Sequence, residues 1–356
     1  MLLIKALVLP KIIKKIYENI SLSSFKTYFC RMIAQDIFSI QSKKEFEKTT
    51  LKVFRHQYKH NKVYRKFCDL LKTDVMAVKS IDKIPFLPIS FFKSTAVLSS
   101  NKPVEITFTS SGTTGQNTSS HLVTDVSVYE QSYLQGFAEF YGNIEDYVVL
   151  ALLPSYLERQ GSSLIYMVED LIKKSNNPDS GFYLHNHDEL TEKLLKLDAS
   201  GQNVLLIGVT YALLDLIEKH QFQLKNTIVM ETGGMKGRRK EIIREELHEI
   251  LKKGFGVDAI HSEYGMTELL SQAYSLGNGI FQCPNWMSIL IRDTEDALSL
   301  VENGKTGGVN VIDLANFNSC SFIATQDLGK KYDNGTFEIL GRFDNSDIRG
   351  CNLMVL

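Results

Sequence analysis

The chain has 356 residues, 44% hydrophobic and 23% charged, enough to bury a large core and too apolar for a disordered protein. Its 40 Lys and Arg against 41 Asp and Glu leave a formal net charge of −1 and a pI near 6.7. That balance argues against a nucleic-acid function, which needs clustered cations, and against a global pull toward anionic surfaces.

The N-terminal stretch MLLIKALVLPKIIKKIYENI has apolar runs broken by Lys5, Pro10 and Lys11, with its basic residues after the apolar stretch. A secretory signal has the opposite order, so an amphipathic helix is expected here. No run is long enough to span a bilayer, and a cytoplasmic location is expected. The five cysteines (Cys30, Cys68, Cys283, Cys320, Cys351) are odd in number and lack metal-ligand spacing, and read as free thiols in a reducing compartment.

Residues up to about 80 read as helices, for instance 46–58 and 64–71. Pro85, Pro88 and Pro103 then mark an extended segment, KIPFLPISFFKS. Strands are expected at 104–109, 148–153, 182–185, 204–207, 227–231 and 257–261, and helices at 162–174, 188–197, 211–220 and 239–252. Strand-then-helix alternation predicts an α/β fold with a mostly parallel sheet. Beyond about 275, short strands and glycine turns (Gly277, Gly304, Gly307, Gly308, Gly335) suggest a smaller β-rich subdomain.

Three segments have the residues for chemistry. In TFTSSGTTGQNTSS, Ser110, Ser111, Gly112, Thr113, Thr114 and Gly115 combine hydroxyls with glycine-freed amides, a good cradle for phosphate oxygens. The GK[ST] ending of a Walker loop is absent, and a plain Ser/Gly linker has the same composition. In HSEYGMTELLS, Thr267 can donate to a phosphate and Glu268 can hold Mg²⁺, although an acidic helix start reads the same way. In TQDLGKKYDNGTFEILGRFDNSDIRG, Asp327 can grip ribose hydroxyls and Arg342 a phosphate or ribose, with a surface hairpin salt bridge as the plainer reading.

In this order, the hydroxyl-rich loop, YGMTE and the D…GRxD segment resemble the adenylate-forming superfamily over roughly residues 100–350. The words IPFLPISFFKS, LPSYLERQGSSLIYM, ETGGMKGRR, CPNWM and GRFDNSDIRGCNLM narrow this to a resemblance to the LuxE-type acyl-protein synthetases, with the phenylacetate-CoA ligase branch as nearest cousin. The resemblance implies the superfamily's large N-terminal domain without its usual C-terminal domain. It divides the chain into a helical region (1–100), a nucleotide-binding core (101–275), the β-rich part (276–341) and a truncated hinge and tail (342–356), Asp344 standing at the hinge position.

It also implies ATP and Mg²⁺ as cofactors. Residues 110–115 then hold the β- and γ-phosphates, Thr267 touches the α-phosphate, and Glu268 bears on the metal. Tyr264, with Gly265 and Met266, lies against the adenine, Gly233 and Gly234 wrap it, and Asp327 and Arg342 take the ribose. The resemblance further implies that the superfamily's C-terminal lysine is lacking, so Lys236, Arg238, Arg239 or His121 are candidate substitutes, with a solvated surface charge as the plainer reading of each. Cys351, near Arg349, matches the position that accepts the acyl group in acyl-protein synthetases; sulfur suits that work as a thiolate, although an unreactive tail cysteine looks the same. Cys283 is expected to line or underlie the acyl pocket, and His185, His187 and His261 to be structural. The expected activity is formation of an acyl-adenylate from a fatty or hydrophobic acid and transfer to a thiol. Partners would be an acyl-accepting reductase, a carrier protein or coenzyme A. A ligase serving coenzyme A or a carrier protein, and a non-catalytic nucleotide- or acyl-binding partner, are the alternatives.

Overall fold

A computed structural model describes residues 36–110, 118–153, 161–184, 186–233 and 242–343. Among the described residues the first long helix, Lys43–His60, opens on a reciprocal cap: Ser42 accepts from the Glu45 amide, and Glu45 Oε2 from the Gln41 amide at 2.9 Å. Helix Lys62–Leu70 follows, capped by Asn61. The proline segment then runs as β1 (Leu87–Pro88) into the short helix Phe91–Ser94. A separate antiparallel pair comes next, β2 (Ile106–Thr109) and β3 (Ser120–Val123), in register Thr109↔Ser120.

The strand and helix alternation begins with helix Val126–Tyr141, which the sequence reading did not single out, and β4 (Val148–Leu152). It continues through helix Ser163–Lys174, β5 (Gly181–Tyr183), helix His187–Ala199, β6 (Val204–Val209), helix Thr210–Lys219 and β7 (Thr227–Thr232). Helix Arg244–Phe255 and β8 (His261–Tyr264) close it. Strands β9 (Ala273–Ser275), β10 (Phe281–Gln282), β11 (Met287–Arg292), β12 (Thr306–Asp313), β13 (Phe322–Lys331) and β14 (Phe337–Arg342) complete the chain.

One sheet joins almost all of these strands, in the order β11-β12-β13-β14-β10-β9-β8-β7-β6-β4-β5, with β1 beside β13. From β5 to β8 neighbours are parallel; from β8 to β11 they are antiparallel. The expected parallel core and β-rich part are thus two halves of one hydrogen-bonded sheet, joined at β8 and β9. Every residue of β4 and β6 is buried, the continuous apolar run that a parallel strand needs when both faces are covered. The expected strand at 257–261 begins at its far end instead: left-handed Gly256 (φ +66°) closes helix Arg244–Phe255, and a loop precedes His261.

Close packing explains two glycines in this half. A Cβ on Gly254 would lie 2.6 Å from Ile217 Cδ1, so helices Arg244–Phe255 and Thr210–Lys219 touch only because position 254 has no side chain. One on Gly208 would meet Leu213 at 2.7 Å, where β6 turns into its helix. The N-terminal helix is fastened to the far half. Gln57 Nε2 donates to the Asn316 and Phe317 carbonyls at 3.0 and 3.2 Å, and its Oε1 accepts from the Ser321 amide at 2.9 Å.

Candidate active site

The parallel strands β6, β7 and β8 end side by side, with antiparallel β9 beyond them, and the carboxyl ends of parallel strands are where α/β sheets hold their ligands. The segment 264–268 leaves β8 at this point. The β2–β3 hairpin meets it there: buried His121 on β3 donates from Nδ1 to the Thr267 carbonyl at 2.9 Å. Asn316 Nδ2 donates to the next carbonyl, Glu268, at 2.7 Å. Asp313 holds the following residues, accepting from the Leu270 and Ser271 amides at 2.8 and 3.1 Å and from Ser271 Oγ at 2.6 Å. The turn is thus gripped by residues 42 to 146 positions away in the chain, of which Asn316 and Asp313 belong to no motif.

His121 was expected as a candidate cation. Burial drives its pKa down to about 4, so it is neutral near pH 7, and its Nδ1–H is spent on the Thr267 carbonyl. Its place is structural support of the turn.

Ser110 and Ser119 close the base of the hydroxyl-rich loop, Ser110 Oγ accepting from the Ser119 amide at 2.9 Å. The loop therefore joins two antiparallel strands, a hairpin connection in place of the expected strand end. The Ser119 side chain lies close enough to Glu268 to favour its ionised form, and Glu268 is only 5% exposed. Burial raises the Glu268 pKa; Ser119, Arg342 and Lys93 oppose that rise. Lys93, in the helix after the proline segment, is a cation near Glu268 that the sequence reading passed over.

On the other side of the turn, Tyr264 OH donates to Asp327 Oδ2 at 2.7 Å, and its ring sits edge-on to Phe281 and Phe337. Asp327 stands opposite Arg342 in the β13–β14 register, with Arg342 Nε 3.4 Å from Oδ1. Burial raises the pKa of Asp327, and Tyr264, Arg342 and Arg292 oppose it. Arg292 was not foreseen. It is buried, donates to the Val309 and Thr325 carbonyls at 2.8 and 2.5 Å, and lies over the Phe343 ring. A Cβ on Gly308 would collide with its guanidinium, which accounts for that glycine.

At the end of β7, buried Glu231 pairs with Arg244 and lies 3.6 Å from His248 Nε2, while Thr210 Oγ1 donates to the Gly233 carbonyl at 2.9 Å. Gly233 adopts φ +69°, a conformation that favours glycine. Gly265 is exposed and Met266 partly buried on the turn. Cys283 is partly buried, and desolvation pushes its thiol up to about 12, so it stays protonated near pH 7. Ser111, Gly112, Thr113, Thr114, Gly115, His185, Gly234, Lys236, Arg238, Arg239, Asp344, Arg349 and Cys351 lie outside the described residues.

The donor set fits Mg²⁺ with a nucleotide. Glu268 is a buried carboxylate that forms no ion pair among the described residues, and Mg²⁺ takes one or two carboxylates plus phosphate oxygens. Among the described residues no cluster of three His, Cys, Asp or Glu forms a protein-only metal cage, and no helix is long and apolar enough to cross a membrane.

The architecture is that of the adenylate-forming ligases. Solved 2-hydroxyisobutyryl-CoA ligase matches at TM-score 0.60 and 12% identity, covering 86% of this chain and 72% of that one. ATP-bound MatB from Rhodopseudomonas palustris matches at TM-score 0.51 and 18% identity, covering 68% and 49%. Within that class, the family model "Acyl-protein synthetase, LuxE" matches residues 34–136 and 175–356, and the chain belongs to this family. A long-chain-fatty-acid–luciferin-component ligase of Vibrio harveyi is 24% identical over 361 residues, 94% of each chain. Its Photorhabdus luminescens namesake is 47% identical over 70 residues, 19% of this chain and 60% of that one. The match thus spans less than two thirds of the Photorhabdus relative and about half of MatB. The family read from the motifs is borne out.

Proposed function

We propose that this chain binds ATP with Mg²⁺ between the β2–β3 hairpin loop and the turn 264–268. There it activates a carboxylic acid as its acyl-adenylate and passes the acyl group to a thiol. The observation that carries this reading is the contact between the two segments. His121 of the hairpin holds the Thr267 carbonyl, and Ser119 at the loop's base lies within reach of Glu268, which supports a shared site for phosphates and a metal.

In this reading the acid's carboxylate attacks the α-phosphorus and pyrophosphate leaves. Bound Mg²⁺ would neutralise charge building on the phosphate oxygens. Glu268 would hold the metal, and Thr267 would donate to the α-phosphate. Arg342 and Lys93, both in electrostatic reach of Glu268, would add positive charge. Asp327, oriented by Tyr264, would take the ribose hydroxyls. Cys351 would accept the acyl group by displacing AMP, before handing it to a reductase, a carrier protein or coenzyme A. The relatives' names, and the rings of Phe108, Tyr129 and Tyr166 packed together beside the hairpin, favour an acid with an apolar body.

The test is acid-dependent ATP–pyrophosphate exchange, followed by mass spectrometry of the intact protein. Exchange with at least one acid is expected, with a loss of roughly a hundredfold or more in Glu268→Gln. An acyl adduct should appear on wild type and not on Cys351→Ser. Exchange that is untouched by Glu268→Gln would refute the site. Full transfer to a free thiol by Cys351→Ser, with no adduct on wild type, would give the acceptor role to coenzyme A or a carrier protein.

A further inference from the structure

Charge is unevenly spread along a chain that is almost neutral overall. Residues 42–83 hold twelve Lys and Arg against five Asp and Glu, while the remaining residues hold 28 against 36. Within helix Lys43–His60 the basic residues fall in a stripe. Lys44, Lys48, Lys52, Arg55 and Lys59 follow one another at steps of three or four, which sets them within about 80° around the helix axis. Phe46, Val53, Phe54 and Gln57 occupy the opposite, buried side. Helix Lys62–Leu70 adds Lys62, Arg65 and Lys66 on its exposed face. Of the twelve, Lys52 and Lys83 are the two that form an ion pair among the described residues, with Asp36 and Asp82.

Two bare apolar side chains sit among these charges. Leu70 is 73% exposed and Met76 70%, the highest values of any large hydrophobic side chain among the described residues. Leu70 ends its helix, and Met76 lies on the turn beyond it. That turn is tied to the stripe: Arg55 Nη2 donates to the Val78 carbonyl at 3.2 Å, and Tyr58 OH donates to Asp69 Oδ1 at 2.7 Å. A soluble polyanion would engage the lysines and leave both apolar tips in water. The boundary of an anionic bilayer offers headgroup charge and hydrocarbon together. The chain ahead of the helix has the same composition. Residues 1–35 hold six Lys and Arg against Glu18, among apolar runs such as MLLI and ALVL.

We propose that this face docks on an anionic bilayer, its lysines and arginines meeting the headgroups while Leu70 and Met76 enter the apolar boundary. The side of helix Lys43–His60 behind the stripe is fastened to the supports of the adenylation turn. Gln57 Nε2 donates to the carbonyls of Asn316 and Phe317, and Asn316 Nδ2 holds the Glu268 carbonyl. One helix diameter, about 10 Å, thus separates the docking face from the segment that holds the turn. An acid with an apolar body dissolves in bilayers, so docking would bring the proposed site to the reservoir of its substrate.

The test is co-sedimentation of the whole chain with vesicles of phosphatidylcholine, with and without phosphatidylglycerol, at low and at high salt. Partition onto the anionic vesicles is expected to exceed that onto the neutral ones by about tenfold or more, and to fall as salt rises. Lys48→Gln, Lys59→Gln and Lys66→Gln together should lower it by about ten- to a hundredfold. Leu70→Ser with Met76→Ser should lower it by about tenfold. All five positions are exposed, and wild-type melting temperatures would show that both variants are folded. Absent or equal partition onto neutral and anionic vesicles would overturn the proposal, as would wild-type binding by the lysine variant. Binding that survives the two serine substitutions would assign the face to a soluble polyanion, and would overturn it as well.

Discussion

His121 illustrates how little a residue's type reveals of its work. A histidine just past a hydroxyl-rich loop reads as a candidate cation, yet this one is neutral, edge-on to Phe92, and committed through Nδ1–H to a backbone carbonyl. His121→Ala is expected to cost about 2–4 kcal/mol of stability in urea titrations, from a lost hydrogen bond and a cavity beside Phe92. It should also lower exchange kcat more than it raises KM, because the turn carrying Thr267 and Glu268 loses its grip. His121→Asn, which keeps a donor, should restore part of both. The pH dependence has a definite sign. The folded-state pKa lies below that of the unfolded chain, so the residue's contribution is full above pH 6.5 and is lost as pH falls toward about 4. The stability gap between wild type and His121→Asn should shrink over that window by at most about 3 kcal/mol. A gap that is constant from pH 7 to pH 4.5 would mean that the imidazole is not held neutral.

At the scale of elements, periodicity and turn residues located most of the parallel half, because β4, β6 and β7 are apolar runs between amphipathic helices. The motifs singled out Tyr264, Glu268, Asp327 and Arg342; Tyr264 and Arg342 both reach Asp327, and Arg342 lies within electrostatic reach of Glu268. Their supports stayed hidden, because Asn316, Asp313, Arg292 and Lys93 reach the site only through tertiary pairing and carry no local signal. Helix Val126–Tyr141 was missed for a related reason. Its aromatic residues are spread around it, with Tyr129 and Phe137 buried and Phe140 and Tyr141 still packed on β9, so its polar face is narrow. Gln57 tests whether the N-terminal helices belong to the same cooperative unit as the sheet. Gln57→Ala removes its bonds to the backbone at 316, 317 and 321 and should destabilise the whole protein by about 2–4 kcal/mol in a single unfolding transition. A separate early transition of the helices would contradict that view.

Over the whole molecule, the division expected at about residue 275 falls inside a continuous sheet. β8 is parallel to β7 on one side and antiparallel to β9 on the other. The turn 264–268 leaves the sheet at that change of direction, with the hairpin 106–123 above it and Asp327 and Arg342 arriving from the antiparallel half. A nucleotide held there, as proposed, would touch both halves. The most direct measurement is a crystal structure with magnesium and a non-hydrolysable ATP analogue. The expected result places the ribose hydroxyls on Asp327, the metal on Glu268, and the phosphates between Thr267 and the loop that follows Ser110. A nucleotide bound elsewhere, or a cleft left empty at saturating analogue, would contradict the account.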